Sequence, residues 1–245
     1  MGVTAEDACT GRHAIVTGGT GYIGGALVRF LANAGCSVTV LCRSPAAPRP
    51  GVRYIPWRMG EPVPDSAWTW GDGRAADWLF HFAHDWTGDT DVPEYSVNCR
   101  GARLIVDDAR RHGTCRLLFA SSQSARPGTA SRYGRVKLAV EQLLHGPDEI
   151  AVRIGLVYGG SWGGAAGGLL RMVRRLPAAP VPGGAPSIRP AHIDDVCAAL
   201  CAIARDGWRD GGQPFLDGRI GSMRKGGAPC RAAGRRRRSG ARPEN

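Results

Sequence analysis

The amino-acid sequence predicts an α/β fold, a doubly wound parallel sheet with helices on both faces. Three observations predict it. Apolar runs of strand length alternate along the 245-residue chain with longer segments of helical spacing, the order that gives parallel sheets. The first run, Ala14-Ile15-Val16, leads into Thr17-Gly18-Gly19-Thr20-Gly21-Tyr22-Ile23-Gly24, and an apolar helical stripe (Ile23, Ala26, Leu27, Phe30, Leu31, Ala34) leaves it. A later run, Arg116 to Ser122, ends in hydroxyl side chains. In open α/β sheets ligands bind at such C-terminal strand ends.

The strand, glycine turn and helix together form a phosphate-binding context. Gly18 supplies the tight turn, because glycine alone takes positive φ without strain. Gly21 lets the backbone approach a pyrophosphate, and Gly24 lets the helix close on the strand. The helix N-terminus then offers free N–H groups and partial positive charge to an anion. An ordinary glycine turn is the alternative, and it leaves the flanking pattern unexplained.

The remaining elements follow in order. Gly35 marks the end of the first helix. Ser37 to Cys42 is β-branched and apolar, a second strand stopped by Arg43-Ser44-Pro45. A carboxylate at this strand end would bind the ribose 2′-hydroxyl of NAD, and it would repel a 2′-phosphate. Arg43 stands there instead, and a guanidinium pairs with phosphate. NADP is therefore expected over NAD, with a solvated strand end as the other reading of Arg43. Val52 to Ile55 is a short strand candidate, and Trp57, Trp68 and Trp70 read as local packing. Asp77 to Ala83 is a buried strand. His81 and His84 at its end read as hydrogen-bonded histidines, with no metal partners in view. Val97 to His112 is a helix, as are Arg132 to His145 and Ile193 to Ala204. Ile150 to Ile154 and Gln213 to Asp217 are strands. Gly159 to Gly168 is a long glycine-rich loop, Leu169 to Leu176 a short basic helix, and Pro177 to Pro186 a connector.

Composition narrows the function classes. The formal net charge is +11, but nine lysines and arginines against the single acid Glu244 fall from Arg219 onward, which leaves +3 for the rest. The basic character thus belongs to a tail, residues 219–245, without apolar periodicity. It is expected to be disordered, because it cannot offset its ordering entropy. Nucleic acid is not an expected partner, since no aromatic residues interleave the arginines as stacking platforms. None of the eight cysteines forms a C-x-x-C pair, so no zinc site is expected. No run approaches the roughly 20 apolar residues of a membrane span. Met1 to Arg12 has no signal-peptide pattern, and a cytoplasmic, reduced setting is expected.

The chemistry-bearing residues are Tyr133 and Lys137, four apart on one helix face, with Ser122 upstream at a strand end. Tyrosine titrates near 10 and is a poor acid–base at neutral pH unless its phenolate is stabilised. A shift of about three units requires about 4 kcal/mol, within reach of a lysine one turn away together with a cationic nicotinamide ring. Ser122 is placed to hold a substrate oxygen.

Taken in order, these motifs resemble the extended branch of the short-chain dehydrogenase/reductase superfamily, the NAD-dependent epimerase/dehydratase family. Thr17 to Gly24 is similar to its glycine motif, Asp77 to Ala83 to its D-x-x-x-H-x-A strand, and Asn98 with Gly101 to its N-x-x-G helix start. Ser121-Ser122 and Tyr133 to Lys137 resemble its catalytic motifs. Arg153 to Gly159 resembles its R-x-x-x-V-Y-G segment, and His192 to Val196 its H-V-D-D-V helix. The resemblance covers Arg12 to Gly218. It implies a Rossmann-type fold holding NAD(P), with cofactor contacts from Gly18, Thr20, Gly21, Tyr22, Ile23, Gly24, Phe82, Ala83, Asn98, Tyr133 and Lys137. Tyr133 would be the acid–base, Lys137 would orient it and the nicotinamide ribose, and Ser122 would bond the substrate oxygen. The implied substrate is a small molecule, often a nucleotide-linked sugar, and a homodimer is left open.

The chain departs from the family in three ways. Arg58-Met59-Gly60-Glu61 stands where the family has an acidic pair toward adenine. The Ser122 to Tyr133 stretch is short and lacks Val-Tyr-Gly. The C-terminal substrate lobe is expected to be reduced, with residues 1–218 forming one cofactor-binding unit that includes part of that lobe. A dinucleotide-binding protein without turnover is the competing reading.

Arg43 generates the first prediction. Arg43→Ala should weaken NADP binding by about 1–3 kcal/mol and leave NAD nearly unchanged. Titration of both cofactors into both proteins checks it, and equal losses would exclude a 2′-phosphate role.

Overall fold

The computed structural model describes residues 9–87, 90–114, 116–160, 163–164, 167–168, 171, 174, 189–208 and 214–217. The expected helix 169–176, the connector 177–186 and the basic tail 219–245 lie outside those residues or almost so. Seven strands form one sheet: β1 (His13–Thr17), β2 (Ser37–Cys42), β3 (Val52–Pro56), β4 (Trp78–His81), β5 (Arg116–Ser122), β6 (Glu149–Ile154) and β9 (Phe215–Leu216). Their order is β3-β2-β1-β4-β5-β6-β9, and every pairing is parallel. This is the doubly wound arrangement, with its switch point between β1 and β4. A separate pair, β7 (Val157–Tyr158) and β8 (Ala191–His192), lies beyond β6.

Two apolar layers sandwich the sheet. Successive strand residues point to opposite faces, so Ala14 and Val16 face one layer and Ile15 the other. On the first face, α1 (Tyr22–Asn33) and α4 (Ile193–Asp206) pack through Leu27, Leu31, Val196, Leu200 and Ile203. On the second, α2 (Val97–Arg111) and α3 (Arg132–Glu141) contribute Ile105, Val106, Val136 and Val140. Trp57 and Trp68 are buried in this second layer, and Trp68 stacks on His112 at 4.7 Å. Among the described residues no helix is long and apolar enough to cross a membrane.

Local chemistry sets the helix ends. Gly35 takes φ +76° after α1, its N–H bonds Ala32 O at 3.1 Å, and the Cys36 N–H bonds Leu31 O at 3.0 Å. This double bond is the glycine-terminated stop expected there. Ser96 and Ser131 cap α2 and α3 by accepting from Cys99 N–H and Gly134 N–H. Several boundaries differ from expectation by one to four residues. α3 stops at Glu141 rather than His145, because Leu143 and Leu144 turn back onto the second apolar layer. β4 stops at His81 rather than Ala83, so Phe82 and Ala83 leave the sheet and line the crevice. β9 is shorter than Gln213 to Asp217, and Gln213 itself is outside the described residues.

Buried histidines brace the central strands. His81 Nδ1 lies 2.7 Å from Thr17 Oγ1, and His13 Nε2 lies 2.9 Å from Thr39 Oγ1. Burial lowers His81 from its usual 6.5 to about 3, helped by the Lys137 charge. Burial and the Arg53 guanidinium lower His13 to about 4. Both values lie below those of the unfolded chain. The stability the neutral rings contribute is therefore complete above about pH 6.5 and is lost as pH falls toward 4 and 3. By pH 5 the loss is on the order of 2 kcal/mol for each ring. Thermal unfolding at pH 7.5 and 5.0 checks this, and His81→Asn should flatten the dependence. An unchanged slope in that variant would contradict the assignment.

Candidate active site

The C-terminal edge of the sheet opens into a cleft of about 880 Å³ that runs from the glycine turn to the Tyr-Lys helix. The turn is built by close approach. Gly18 has φ +67°, and a Cβ there would sit 2.6 Å from the Ala83 nitrogen. A Cβ on Gly24 would collide with the Gly18 carbonyl. Gly21 caps α1 with extended backbone and no side-chain hydrogen bond, so the helix N-terminus faces the cleft uncapped. Such a cradle fits a pyrophosphate, which would be held by backbone N–H groups and the helix dipole.

The floor is held by Thr17. Its Oγ1 accepts from the Ala83 N–H at 3.1 Å, and its carbonyl accepts from the Phe82 N–H at 3.1 Å. Asn98 lies beneath the site rather than among its lining. It is buried, its Oδ1 accepts from Asp85 N–H at 2.7 Å, and its Nδ2 donates to Asp85 O at 2.8 Å. It thereby fixes the loop from His84 to Trp86, which does line the cleft. Tyr22 donates its hydroxyl proton to Gly159 O at 2.7 Å, and its ring packs against Gly163 and Gly164.

At the far end, Ser122, Tyr133 and Lys137 all line the cleft. Lys137 is 3% exposed, and its Nζ donates to Ala120 O at 2.7 Å. The ammonium lies 4.5 Å from the Phe119 ring centroid and 5.6 Å from that of Tyr133. A buried cation thus lies beside the Tyr133 ring. The Ser122 Oγ accepts from Ser124 N–H at 3.2 Å, which orients the hydroxyl side of β5.

Several site residues carry no motif in the sequence. The Trp86 ring stacks on Tyr133 at 5.0 Å and 21°, and the His84 ring meets Tyr133 edge-on at 4.9 Å. No periodicity runs through that loop, so only tertiary contact reveals it. Arg58 lines the cleft with Arg43, beyond the end of β2. Glu141, buried, accepts two bonds from Arg153 at 2.9 and 2.7 Å and one from Ser121 Oγ. It lies one turn beyond Lys137 on the same helix face, a spacing that signals its role. This ionic contact joins α3 to β5 and β6. Among the described residues no group of three or more potential ligands could hold a metal ion.

Fold and cleft define a Rossmann-type dinucleotide-binding protein with a Tyr-x-x-x-Lys pair in its ligand cleft. The chain belongs to the NAD dependent epimerase/dehydratase family, whose sequence profile matches residues 14–213. It is 32% identical over 200 residues to the ceramide reductase of Caulobacter vibrioides (strain NA1000 / CB15N), a match covering 78% of this chain and 60% of that protein. The chain thus spans 60% of the length of that curated relative. Among solved structures it resembles MoeE5 in complex with UDP-glucuronic acid and NAD, at 25% identity and a TM-score of 0.62, covering 83% of this chain and 75% of the other. The NAD dependent-NDP-hexosamine 5,6-dehydratase TunA shares the fold at 20% identity and a TM-score of 0.64, covering 84% and 75%.

The Glu141 contact generates a stability prediction. Arg153→Met leaves a buried carboxylate unpaired and should cost about 3–5 kcal/mol. The double variant Glu141→Gln, Arg153→Met removes both charges and should recover part of that loss. Chemical denaturation of the three proteins checks it. A double variant no more stable than Arg153→Met would contradict the unpaired-charge account.

Proposed function

We propose that the protein is an NADP-dependent oxidoreductase or epimerase acting on a carbonyl or secondary alcohol of a small molecule. The observation that carries the reading is the buried Lys137 ammonium beside Tyr133 in a cleft that begins at the glycine cradle. The cradle of Gly18, Thr20, Gly21, Tyr22, Ile23 and Gly24 would hold the pyrophosphate, with Phe82 and Ala83 on the opposite wall and Asn98 supporting that wall from below. Arg43 would bond the adenosine 2′-phosphate. The bound nicotinamide would supply or accept hydride. Ser122 would hold the substrate oxygen, and Tyr133 would give or take its proton. Lys137 lowers the cost of the phenolate and reaches toward the ribose. Residues 1–218 would form this unit.

The substrate expected from the sequence is a nucleotide-linked sugar, and the MoeE5 complex with UDP-glucuronic acid supports it. A second reading places the carbonyl on a hydrocarbon chain. The similarity to a ceramide reductase supports that class. So does the connection between β4 and α2, where Trp86 is 73%, Tyr95 72% and Val92 47% exposed. This connection is tied to the catalytic helix by Asp91, which accepts from Arg132 at 2.7 Å.

Nicotinamide absorbance tests the reaction with two substrate panels, nucleotide sugars and 2-alkanones of increasing length. The sugar reading expects turnover in the first panel. The lipid reading expects KM to fall about fourfold per buried methylene in the second. In either case Tyr133→Phe should abolish turnover with the fold and cofactor affinity retained, and Lys137→Met should lose both rate and affinity. A Tyr133→Phe enzyme with most of its rate would overturn the acid–base role. Cofactor binding without turnover on any substrate would establish the non-catalytic alternative.

A further inference from the structure

Two strand ends beside the glycine turn carry guanidinium groups for which the fold has no use. Cys42 at the end of β2 is in register with Pro56 at the end of β3. Neighbouring strands lie about 4.8 Å apart, so the chain leaves both at one edge of the sheet. Arg43 follows the first end directly, and Arg58 follows the second after the buried Trp57. Both arginines are exposed and line one hollow of about 490 Å³, together with Thr20 and Ser44.

Several arginines among the described residues have built partners. Arg12, Arg110, Arg116, Arg132 and Arg153 each bond a carboxylate, and Arg53 bonds a hydroxyl and two carbonyls. Among the described residues the side chains of Arg43 and Arg58 have none. The Arg58 backbone is nevertheless fixed. Its N–H donates to Glu61 Oε2 at 3.1 Å, and its carbonyl accepts from the Glu61 N–H at 3.1 Å. Trp57 N–H donates to Cys42 O at 2.9 Å, which ties this turn to the end of β2. Two like charges lining one hollow repel each other until an anion comes between them.

We propose that Arg43 and Arg58 together form a two-armed site for a phosphate monoester, the 2′-phosphate of a dinucleotide seated on the glycine turn. The inference rests on the dinucleotide reading of the cleft and adds Arg58 as a second specificity-determining residue. Arg58 stands where the family resemblance puts an acidic pair toward adenine. A carboxylate there would repel a 2′-phosphate, and a guanidinium attracts it through charge-assisted bonds. The hydroxyls of Thr20 and Ser44 add neutral donors to the same hollow.

Calorimetric titration with 5′-ADP and with adenosine 2′,5′-bisphosphate separates the arms from the cradle, because neither probe requires turnover. Wild type should bind the bisphosphate about ten to a hundred times more tightly than 5′-ADP. Arg58→Ala should lose about tenfold for the bisphosphate and stay within about twofold for 5′-ADP. Raising the salt should compress the wild-type preference. Both side chains are exposed, so the variants should keep the wild-type melting temperature. Equal loss of both probes in Arg58→Ala would mean that Arg58 stacks on adenine, and this would overturn the two-armed site. Wild-type binding of 5′-ADP without preference for the bisphosphate would overturn it too, while sparing the dinucleotide reading. Failure of both probes to bind wild type would overturn both.

Discussion

Glu141 lies buried between α3 and the sheet, where it accepts both arms of Arg153 and the Ser121 hydroxyl. The placement of Lys137 and Tyr133 in the cleft depends on where that contact sets α3. One turn earlier on the same face, Lys137 donates to the Ala120 carbonyl. Two successive β5 residues thus receive two successive turns of the helix. A helix gripped at Ser121 and Ala120 cannot slide along its axis without losing a buried charge pair, which is costly in a low-dielectric interior. Tyr133, one further turn back, inherits this registration. It lines the cleft on a helix whose far end is ionically clamped.

A second constraint acts at the switch point. Gly18, Gly24 and Ala83 meet so closely that no Cβ fits at either glycine. Thr17 closes the junction by bonding the backbone beyond β4 and the ring of His81. The cost is a neutral, desolvated histidine beneath the site, stable only where its ring stays unprotonated. The return is a glycine turn held tightly against the strand ends. The glycine turn and the Tyr133-Lys137 pair thereby sit at opposite ends of one cleft and are fixed by independent devices, packing at one end and charge at the other.

The loop between β4 and α2 joins the two ends. Asn98 holds it through both backbone groups of Asp85, and Asp91 ties it to Arg132. The result places Trp86 flat against Tyr133. This aromatic wall is built by tertiary contact and lies outside the sequence motifs. The two arginines that share a hollow lie at the other end of the cleft.

Local rules determined much of this protein in its sequence. Strand and helix periodicity determined the parallel sheet, glycine stereochemistry determined the phosphate turn and the end of α1, and the four-residue spacing determined that Tyr133 and Lys137 share a face. Each of these follows from backbone geometry within a few residues. The early end of α3 was not legible, because it depends on Leu143 and Leu144 finding the second apolar layer. Neither was the stack of Trp86 on Tyr133, nor the meeting of Arg43 with Arg58 at one hollow. Those contacts join residues separated by fifteen to nearly fifty positions. Only the closing of strands and helices around a common core brings such residues within reach of one another, so the tertiary structure alone decided them.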